Sequence, residues 1–182
     1  MVRSVQEELL KAKCYLLPFV DVTPGDPHWT AIQKAGATGI LRGHGKPEGW
    51  ANKTFFYPDS TITDTELAAG LFAFEKQFPV THYKTGNRLS VSHAWDMITE
   101  MQHYLRLRLG IPHKYPSVAY QEWKHTFKII LHEENVDGSR LVTRKELAVM
   151  LSDLAQDPFY QNVDIKGNVM KTRLEISITT QQ

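Results

Sequence analysis

Two segments of the chain share one helix-starting pattern: Ile62-Thr63-Asp64-Thr65-Glu66-Leu67-Ala68 and Val142-Thr143-Arg144-Lys145-Glu146-Leu147-Ala148. Each stretch is a capping box, in which the first hydroxyl accepts from the amide three residues on and the glutamate reaches back to the first amide. Thr63 and Glu66 form the first box, and Thr143 and Glu146 form the second. Because the two boxes match at every fixed position, internal repetition is the strongest signal in the sequence.

A third, divergent copy is predicted between these two, at Leu89-Ser90-Val91-Ser92-His93-Ala94-Trp95, with Ser92 as the helix N-cap. The box glutamates lie 80 positions apart, so a middle copy implies repeats of roughly 30 to 50 residues. Helices are expected over residues 64–74, over 92–109 and from residue 144 onward, each with apolar residues at helical spacing.

A further helix is predicted upstream of the capping-box helix in the first and third copies. In the first copy it covers residues 27–38, because Asp26 suits an N-cap, Pro27 suits the first helical position and Gly39 suits a left-handed C-terminal cap. In the third copy it covers residues 120–133. Such helix pairs bury their apolar faces only by packing on one another.

These patterns predict a mainly α fold, a bundle of about three helix-pair repeats with long loops. The expected units are an N-terminal connecting helix (1–17), three repeats (18–79, 80–116 and 117–160) and a C-terminal segment (161–182). Residues 40–50 contain Gly43, Gly45 and Gly49 and are expected to form no regular structure, only a glycine-rich turn between helices. Residues 173–179 alternate apolar and polar side chains, which predicts a strand. Whether it pairs with residues 18–22, pairs with another chain or forms an ordered tail is left open.

Composition limits the functional classes. The formal net charge is +1 over 182 residues, so no overall field recruits nucleic acid or an anionic membrane. Cys14 is the single cysteine, which excludes an intramolecular disulfide and a cysteine-based zinc site; we expect a buried thiol. The first 13 residues contain no apolar stretch of the signal-peptide kind, and no apolar run approaches the roughly 20 residues of a membrane span.

The order of motifs resembles the S-layer-homology family. The matching segments are Phe19-Val20-Asp21-Val22, Trp29-Thr30-Ala31-Ile32, Gly39-Ile40-Leu41-Arg42-Gly43, Phe56-Tyr57-Pro58-Asp59 and Ile62-Thr63-Asp64-Thr65-Glu66-Leu67-Ala68. With its insertion at residues 45–54, the chain is similar to the variant found at the C-terminus of secreted bacterial FAD-dependent oxidoreductases, some labelled xanthan lyases. The resemblance covers the first copy well and the middle copy weakly.

The resemblance implies a non-catalytic, extracytoplasmic anchoring module that docks to a cell-envelope polysaccharide or to a catalytic domain in the same protein. FAD is implied only for an upstream catalytic domain. In the family, a basic residue after the capping hydroxyl binds a pyruvylated wall polymer. Carried over, that position is Asp64 in the first copy, His93 in the middle copy and Arg144 in the third. Only Arg144 is a permanent cation, so the first and middle copies depart from the family pattern on which classical wall-polymer binding depends.

The predicted ligand-binding residues are Arg144, Trp50, Tyr57 and His93. Trp50, Phe55, Phe56 and Tyr57 suit a sugar-stacking platform, but the favoured interpretation is that these aromatics close the core beneath a long loop.

No catalytic set and no histidine metal motif is recognised in the sequence. The loop from Asn135 resembles a calcium loop, with Asp137 and Ser139 as further ligands and Glu146 as the last one. Arg140 stands where that loop requires glycine, so a turn followed by a capping box is the preferred explanation. A calcium-binding module is therefore the weaker alternative to an accessory domain of a flavin oxidoreductase.

Overall fold

A computed structural model describes residues 9–83, 85–109 and 136–154. Within these ranges the regular elements are α1 (Trp29–Ala37), β1 (His44–Glu48), β2 (Ala51–Phe55), α2 (Asp64–Phe74), a short 3₁₀ helix (Thr81–Tyr83), α3 (Val91–Leu109) and α4 (Arg144–Leu154). The main helix-to-helix contact joins α1 to α4, which lie far apart in the sequence.

Three short segments before α2, α3 and α4 form a closed ring, which we call the cap ring (residues 60–64, 87–91 and 140–144). Isolated β-bridges join each segment to the other two: Thr63 to Arg88, Ser90 to Leu141, and Thr143 to Thr61. The same backbone bond recurs at each step, from the first helical amide to a carbonyl of the next segment. These bonds are Asp64 N to Asn87 O (3.0 Å), Val91 N to Arg140 O (3.0 Å) and Arg144 N to Ser60 O (2.9 Å).

The centre of the cap ring is apolar. Ile62, Leu89 and Val142 occupy the same position in the three segments, and all three side chains are buried. The amide of Leu89 donates to the carbonyl of Ile62, and the amide of Val142 donates to the carbonyl of Leu89. Three helices therefore begin from one hydrogen-bonded ring, and their apolar faces meet in one core.

The prediction of a mainly α bundle is wrong, because the chain is mixed α/β. Strands β1 and β2 pair antiparallel, with His44 opposite Phe55 and Glu48 opposite Ala51. They occupy the region that the sequence assigned to irregular structure and to a long inserted loop. We call residues 44–55 the hairpin.

The hairpin escaped prediction because it lacks a buried face. Every residue of β1 is exposed, so the apolar alternation that normally marks a strand is missing. Its two-residue loop begins with Gly49, whose φ is +61°. A positive φ at the first loop position is the type II′ geometry that joins two tightly paired strands, so this glycine is the local cause of the hairpin.

The middle copy is shifted by two residues from its predicted alignment. Helix α3 begins at Val91, and the amide of His93 donates to Ser90 Oγ at 3.3 Å. Ser92 is therefore not the N-cap; its hydroxyl donates to the carbonyl of Gly138 at 2.9 Å. Ser90 aligns with Thr63 and Thr143 in the cap ring, so Val91, and not His93, corresponds to Asp64 and Arg144.

Helix α1 begins later than predicted. Asp26 Oδ1 accepts from the amide of His28 at 2.7 Å, which closes a turn two residues long instead of capping the helix. The N-cap is His28, without a side-chain bond, and the helix starts at Trp29. Its predicted end is correct, since Gly39 follows with a φ of +77°.

The N-terminal segment lies against α1 through a buried amide side chain. Gln33 Oε1 accepts from the amides of Leu16 and Leu17 at 2.7 and 2.8 Å, and its Nε2 donates to the carbonyl of Leu17. Cys14 is exposed, contrary to the expectation of a buried thiol. The helical residues 9–11 precede a turn in which Lys13 has a φ of +58°, so Cys14 does not lie on a helix face that packs on the core.

Phe19 forms a parallel bridge to Thr54, so residues 18–22 pair with β2 in this part of the chain. The predicted helix 120–133 and the predicted strand 173–179 lie outside the described residues. So do the residues before 9 of the predicted connecting helix, and Asn135 of the calcium-like loop. Among the helices described, none is long and apolar enough to cross a membrane.

Candidate functional site

The Arg144 side chain is buried at the base of the hairpin. It is 4% exposed, its Nε donates to the carbonyl of Phe56 at 2.7 Å and its Nη2 donates to the carbonyl of Arg42 at 2.6 Å. These carbonyls flank the two ends of the hairpin. The guanidinium also lies 4.9 Å from the centroid of the Phe56 ring, within cation–π range.

Burial lowers the pKa of Arg144 from its ordinary value, while the charges of Glu66 and Asp21 act in the opposite direction. No ion pair between Arg144 and a carboxylate is seen in the described ranges. A buried cation held by backbone carbonyls of another repeat serves mainly to fix those carbonyls. The structure thus places this predicted ligand-binding residue beneath the hairpin, where it joins the third capping segment to the first repeat.

Asp64, the corresponding residue of the first copy, is also buried, and it holds the loop before α3. Its carboxylate accepts from the amides of Thr85 and Gly86 at 3.1 and 2.9 Å, and from the hydroxyls of Thr85 and Thr65. Burial tends to raise the pKa of Asp64, but the hydrogen bonds from Thr85, Thr65 and Gly86 outweigh it, so the pKa lies below 3.8. All of these donors to the Asp64 carboxylate belong to the chain itself.

His93 lies in the first turn of α3, where its ring contacts Tyr83 with centroids 5.9 Å apart. It occupies the position that Glu66 and Glu146 hold in the other two copies, because the middle segment is shifted by two residues. The structure therefore does not bring His93 to the position that the resemblance assigned to it.

Trp50 projects from the tip of the hairpin. It is the second residue of the two-residue loop between β1 and β2, and its side chain is 100% exposed. Phe56, by contrast, is completely buried beneath the hairpin. The aromatic residues of this region thus divide into two groups. Phe56 closes the core, as the favoured interpretation proposed for all of them, whereas Trp50 lies entirely in solvent.

Tyr57 lies at the base of the hairpin among other rings. Its ring stacks on Phe55, with centroids 5.5 Å apart and planes 13° apart, and it lies 5.6 Å from the ring of His44. The ammonium of Lys46 is 5.6 Å from the Phe55 centroid and 5.3 Å from the Tyr57 centroid. His44, Lys46 and Phe55 share one face of the hairpin by strand register. We call His44, Lys46, Phe55 and Tyr57 the hairpin cluster.

The backbone at Tyr57 is left-handed, with a φ of +56°, which is unusual for an aromatic residue. Asp21 fixes this conformation, because its two carboxylate oxygens accept from the amides of Phe56 and Tyr57 at 2.8 and 2.7 Å. Asp21 belongs to the Phe-x-Asp-Val motif, so the sequence contained a sign of its importance. Nothing in the motif indicated which backbone it holds.

Lys46 is a site residue that the sequence analysis missed. It is exposed, and no carboxylate partner for it is present in the ranges described. Its neighbour Lys53, on the same face of the hairpin, bonds Glu48 at 2.8 Å. A lysine in a glycine-rich stretch carries no signal of its own, and only the strand register brings Lys46 next to Phe55 and Tyr57.

The carboxylates of the calcium-like loop accept hydrogen bonds from other groups of the same chain. Glu146 accepts from Arg140 Nη2 at 2.8 Å and from the amide and hydroxyl of Thr143, both at 2.8 Å. Asp137 Oδ1 accepts from the amide and hydroxyl of Ser139 at 2.9 and 2.7 Å. The bonds between Glu146 and Thr143 belong to the second capping box, and a calcium ion at Glu146 would have to displace Arg140.

Within the described ranges, no group of three or more His, Cys, Asp or Glu side chains is arranged to hold a metal ion. No family model, no curated protein and no solved structure matches this chain. The geometry of the chain itself is therefore the basis for the function that we propose.

Proposed function

We propose that this chain is a non-catalytic docking module that binds a cell-envelope glycan through the hairpin. The observation that carries the proposal is the complete exposure of Trp50 at the tip of a hairpin whose base is fixed by buried groups. Large aromatic side chains are enriched in binding surfaces, where their burial against a ligand contributes strongly to affinity.

The way in which the hairpin is attached supports a docking role. Arg144 bonds the carbonyls at both ends, and Asp21 bonds the two amides after β2. A projecting element that is held at its base loses less conformational freedom on binding, so more of the contact energy appears as affinity. The cap ring provides the scaffold for this attachment, because it supplies Arg144 from the third segment.

A glycan suits the chemistry of this surface. The indole of Trp50 and the stacked rings of Phe55 and Tyr57 offer flat apolar faces, which match the C–H faces of pyranose rings. Lys46 and His44 add polar groups beside those faces. In this proposal the chain acts outside the cytoplasm, at the envelope where such glycans occur.

Co-sedimentation with purified, insoluble cell-envelope glycan tests the proposal. The wild-type chain should sediment with the glycan, and Trp50→Ala should lose most of that binding while keeping its circular dichroism spectrum. Phe72→Ala is the matched control, since it removes an exposed aromatic side chain from another surface. Equal sedimentation of the Trp50→Ala and Phe72→Ala variants would contradict a docking role for the hairpin.

A second candidate is docking to a protein domain, as in an accessory domain of a flavin oxidoreductase. The exposed Trp50 favours it as well, because tryptophan is frequent at the centres of protein interfaces. The two candidates differ in their response to free sugar. Neutral oligosaccharide at millimolar concentration should compete with glycan binding, and it should leave a complex with a protein domain intact.

A further inference from the structure

We infer that Lys46 and Tyr57 form a subsite for an anionic group, a carboxylate or a phosphate, carried on the saccharide that the hairpin binds. This inference deepens the proposed function and rests on it. Four observations lead to it, and they concern the hydroxyl of Tyr57, its backbone, the ammonium of Lys46 and the neighbouring rings.

The hydroxyl of Tyr57 is buried and makes no hydrogen bond within the described part of the chain. Leaving a buried polar group unbonded costs roughly 1–3 kcal/mol, so such groups are uncommon in folded proteins. The Tyr57 hydroxyl is placed to interact with Lys46 and raises the pKa of that ammonium, yet the two groups do not reach the distance and angle of a formed hydrogen bond.

The Lys46 ammonium has no anionic partner among the residues that the structure describes. It lies over the rings of Tyr57 and Phe55, and no carboxylate pairs with it in the ranges described. Both groups are hydrogen-bond donors, and an oxyanion is the acceptor that satisfies both together. The Lys46 side chain is exposed, and the subsite that we infer requires it to move so that such an acceptor reaches the hydroxyl.

The backbone conformation of Tyr57 is held in place by bonds from another segment. A left-handed φ is unfavourable for a residue with a side chain, and it persists here because Asp21 bonds the amides of Phe56 and Tyr57. Strained residues of this kind are concentrated at binding sites. The Phe55 ring stacks on the Tyr57 ring and offers an apolar face on which the sugar ring of the ligand would rest, and His44 places a polar ring beside it.

Isothermal titration calorimetry with three tetrasaccharide probes tests the inference: glucose tetrasaccharide, glucuronic acid tetrasaccharide, and glucose tetrasaccharide bearing one phosphate monoester. The wild-type chain should bind at least one charged probe about tenfold more tightly than the neutral one, the gain expected from one added charge-assisted hydrogen bond. Comparison of the two charged probes identifies the anion. Equal binding of all three probes would overturn the inference.

Two variants locate the anion. Tyr57→Phe removes only the hydroxyl, and Lys46→Met removes only the charge; each should abolish the preference for the charged probe while neutral binding persists. Lys53→Met is the matched control, because Lys53 lies on the same face but pairs with Glu48. A retained preference in both the Tyr57→Phe and Lys46→Met variants would overturn the subsite.

Thermal unfolding separates a binding role of the hydroxyl from a structural role. Removal of an unbonded buried hydroxyl should leave the Tm unchanged or raise it, whereas removal of a structural hydrogen bond lowers it. A lower Tm for Tyr57→Phe would therefore count against the inference. If the neutral probe binds through Trp50 without any preference for charge, the subsite is wrong and the proposed docking function stands.

Discussion

Arg144 and Phe56 are linked twice, although 88 positions separate them in the sequence. The Arg144 Nε donates to the Phe56 carbonyl at 2.7 Å, and its guanidinium lies 4.9 Å from the centroid of the Phe56 ring. Together with the bond from Nη2 to the Arg42 carbonyl, this link attaches the hairpin of the first repeat to the capping helix of the third. The exposed surface of the hairpin thus depends on a side chain that is itself hidden.

Replacement of Arg144 by lysine should loosen the hairpin. A lysine carries one ammonium in place of the planar guanidinium, so it cannot bond both carbonyls and stack on Phe56 in the same geometry. We expect a loss of about 1–3 kcal/mol in the free energy of unfolding. Amide hydrogen exchange should accelerate most at residues 44–55.

Lys145→Gln is the control for this variant, since the neighbouring lysine makes a surface ion pair with Asp59 that contributes little to stability. Uniform acceleration of exchange throughout the chain would show that Arg144 stabilises the core in general and has no particular effect on the hairpin.

The capping boxes should contribute comparably to stability. Thr63 Oγ1 accepts from the amide of Glu66 at 3.2 Å, and Thr143 Oγ1 accepts from the amide of Glu146 at 3.4 Å. Loss of either hydroxyl leaves a helix amide unbonded, so Thr63→Ala and Thr143→Ala should each lower the free energy of unfolding by about 1 kcal/mol in urea titrations. Thr30→Ala, on the exposed side of α1, should change it by less than about 0.5 kcal/mol. Equal effects at all three sites would contradict this role of the caps.

Gly70 is required where α2 passes close to the backbone of Ile40. A Cβ atom at position 70 would lie 2.1 Å from the Ile40 carbonyl oxygen, and a backbone atom in the core cannot move aside easily. Gly70→Ala should therefore destabilise the chain by about 1–3 kcal/mol, despite the better helix propensity of alanine. Gly45→Ala is the control, because a Cβ there meets no atom within 4 Å. A higher Tm for Gly70→Ala would show that the two backbones are farther apart.

Protonation of Asp64 should lower the free energy of unfolding in acid. Since its folded-state pKa lies below 3.8, ionised Asp64 stabilises the fold fully above that value, and the contribution is lost as the pH falls through the folded-state pKa. Asp64→Asn should be less stable than the wild type at pH 7, by about 1–3 kcal/mol, and the difference should shrink toward pH 3. Urea titrations at several pH values measure it. A difference for Asp64→Asn that stays constant from pH 7 to pH 3 would be contrary to our account.

The sequence predicted the parts of the fold that depend on local chemistry. The capping boxes at Thr63 and Thr143 placed two helix starts correctly. Each box is closed by bonds between two residues three positions apart, so the local sequence is enough to recognise it. The middle copy was misaligned by two residues, since Ser90 and Ser92 are equally suitable N-caps. The bridge from Ser90 to Leu141 and the bond from the His93 amide to Ser90 Oγ identify Ser90 as the cap.

The candidate site was less predictable, because it depends on contacts between distant segments. Trp50 and Tyr57 were recognised as aromatic candidates, yet the hairpin that presents Trp50 has no buried face and leaves no apolar pattern. Arg144 was selected by resemblance as a ligand-binding cation. The sequence around it did not indicate that its guanidinium would donate to the carbonyls of Arg42 and Phe56. Lys46 was recognised as a site residue only from the strand register, which places it on the same face as Phe55.

We claim that the hairpin docks to a glycan through Trp50, and NMR can detect this contact at a single side chain. The indole N–H resonances of the tryptophans should be followed during titration with glucuronic acid tetrasaccharide. We predict that the Trp50 resonance shifts to saturation while that of Trp29, which is buried in the core, stays in place. A Trp50 resonance that does not move at saturating sugar would contradict the claim.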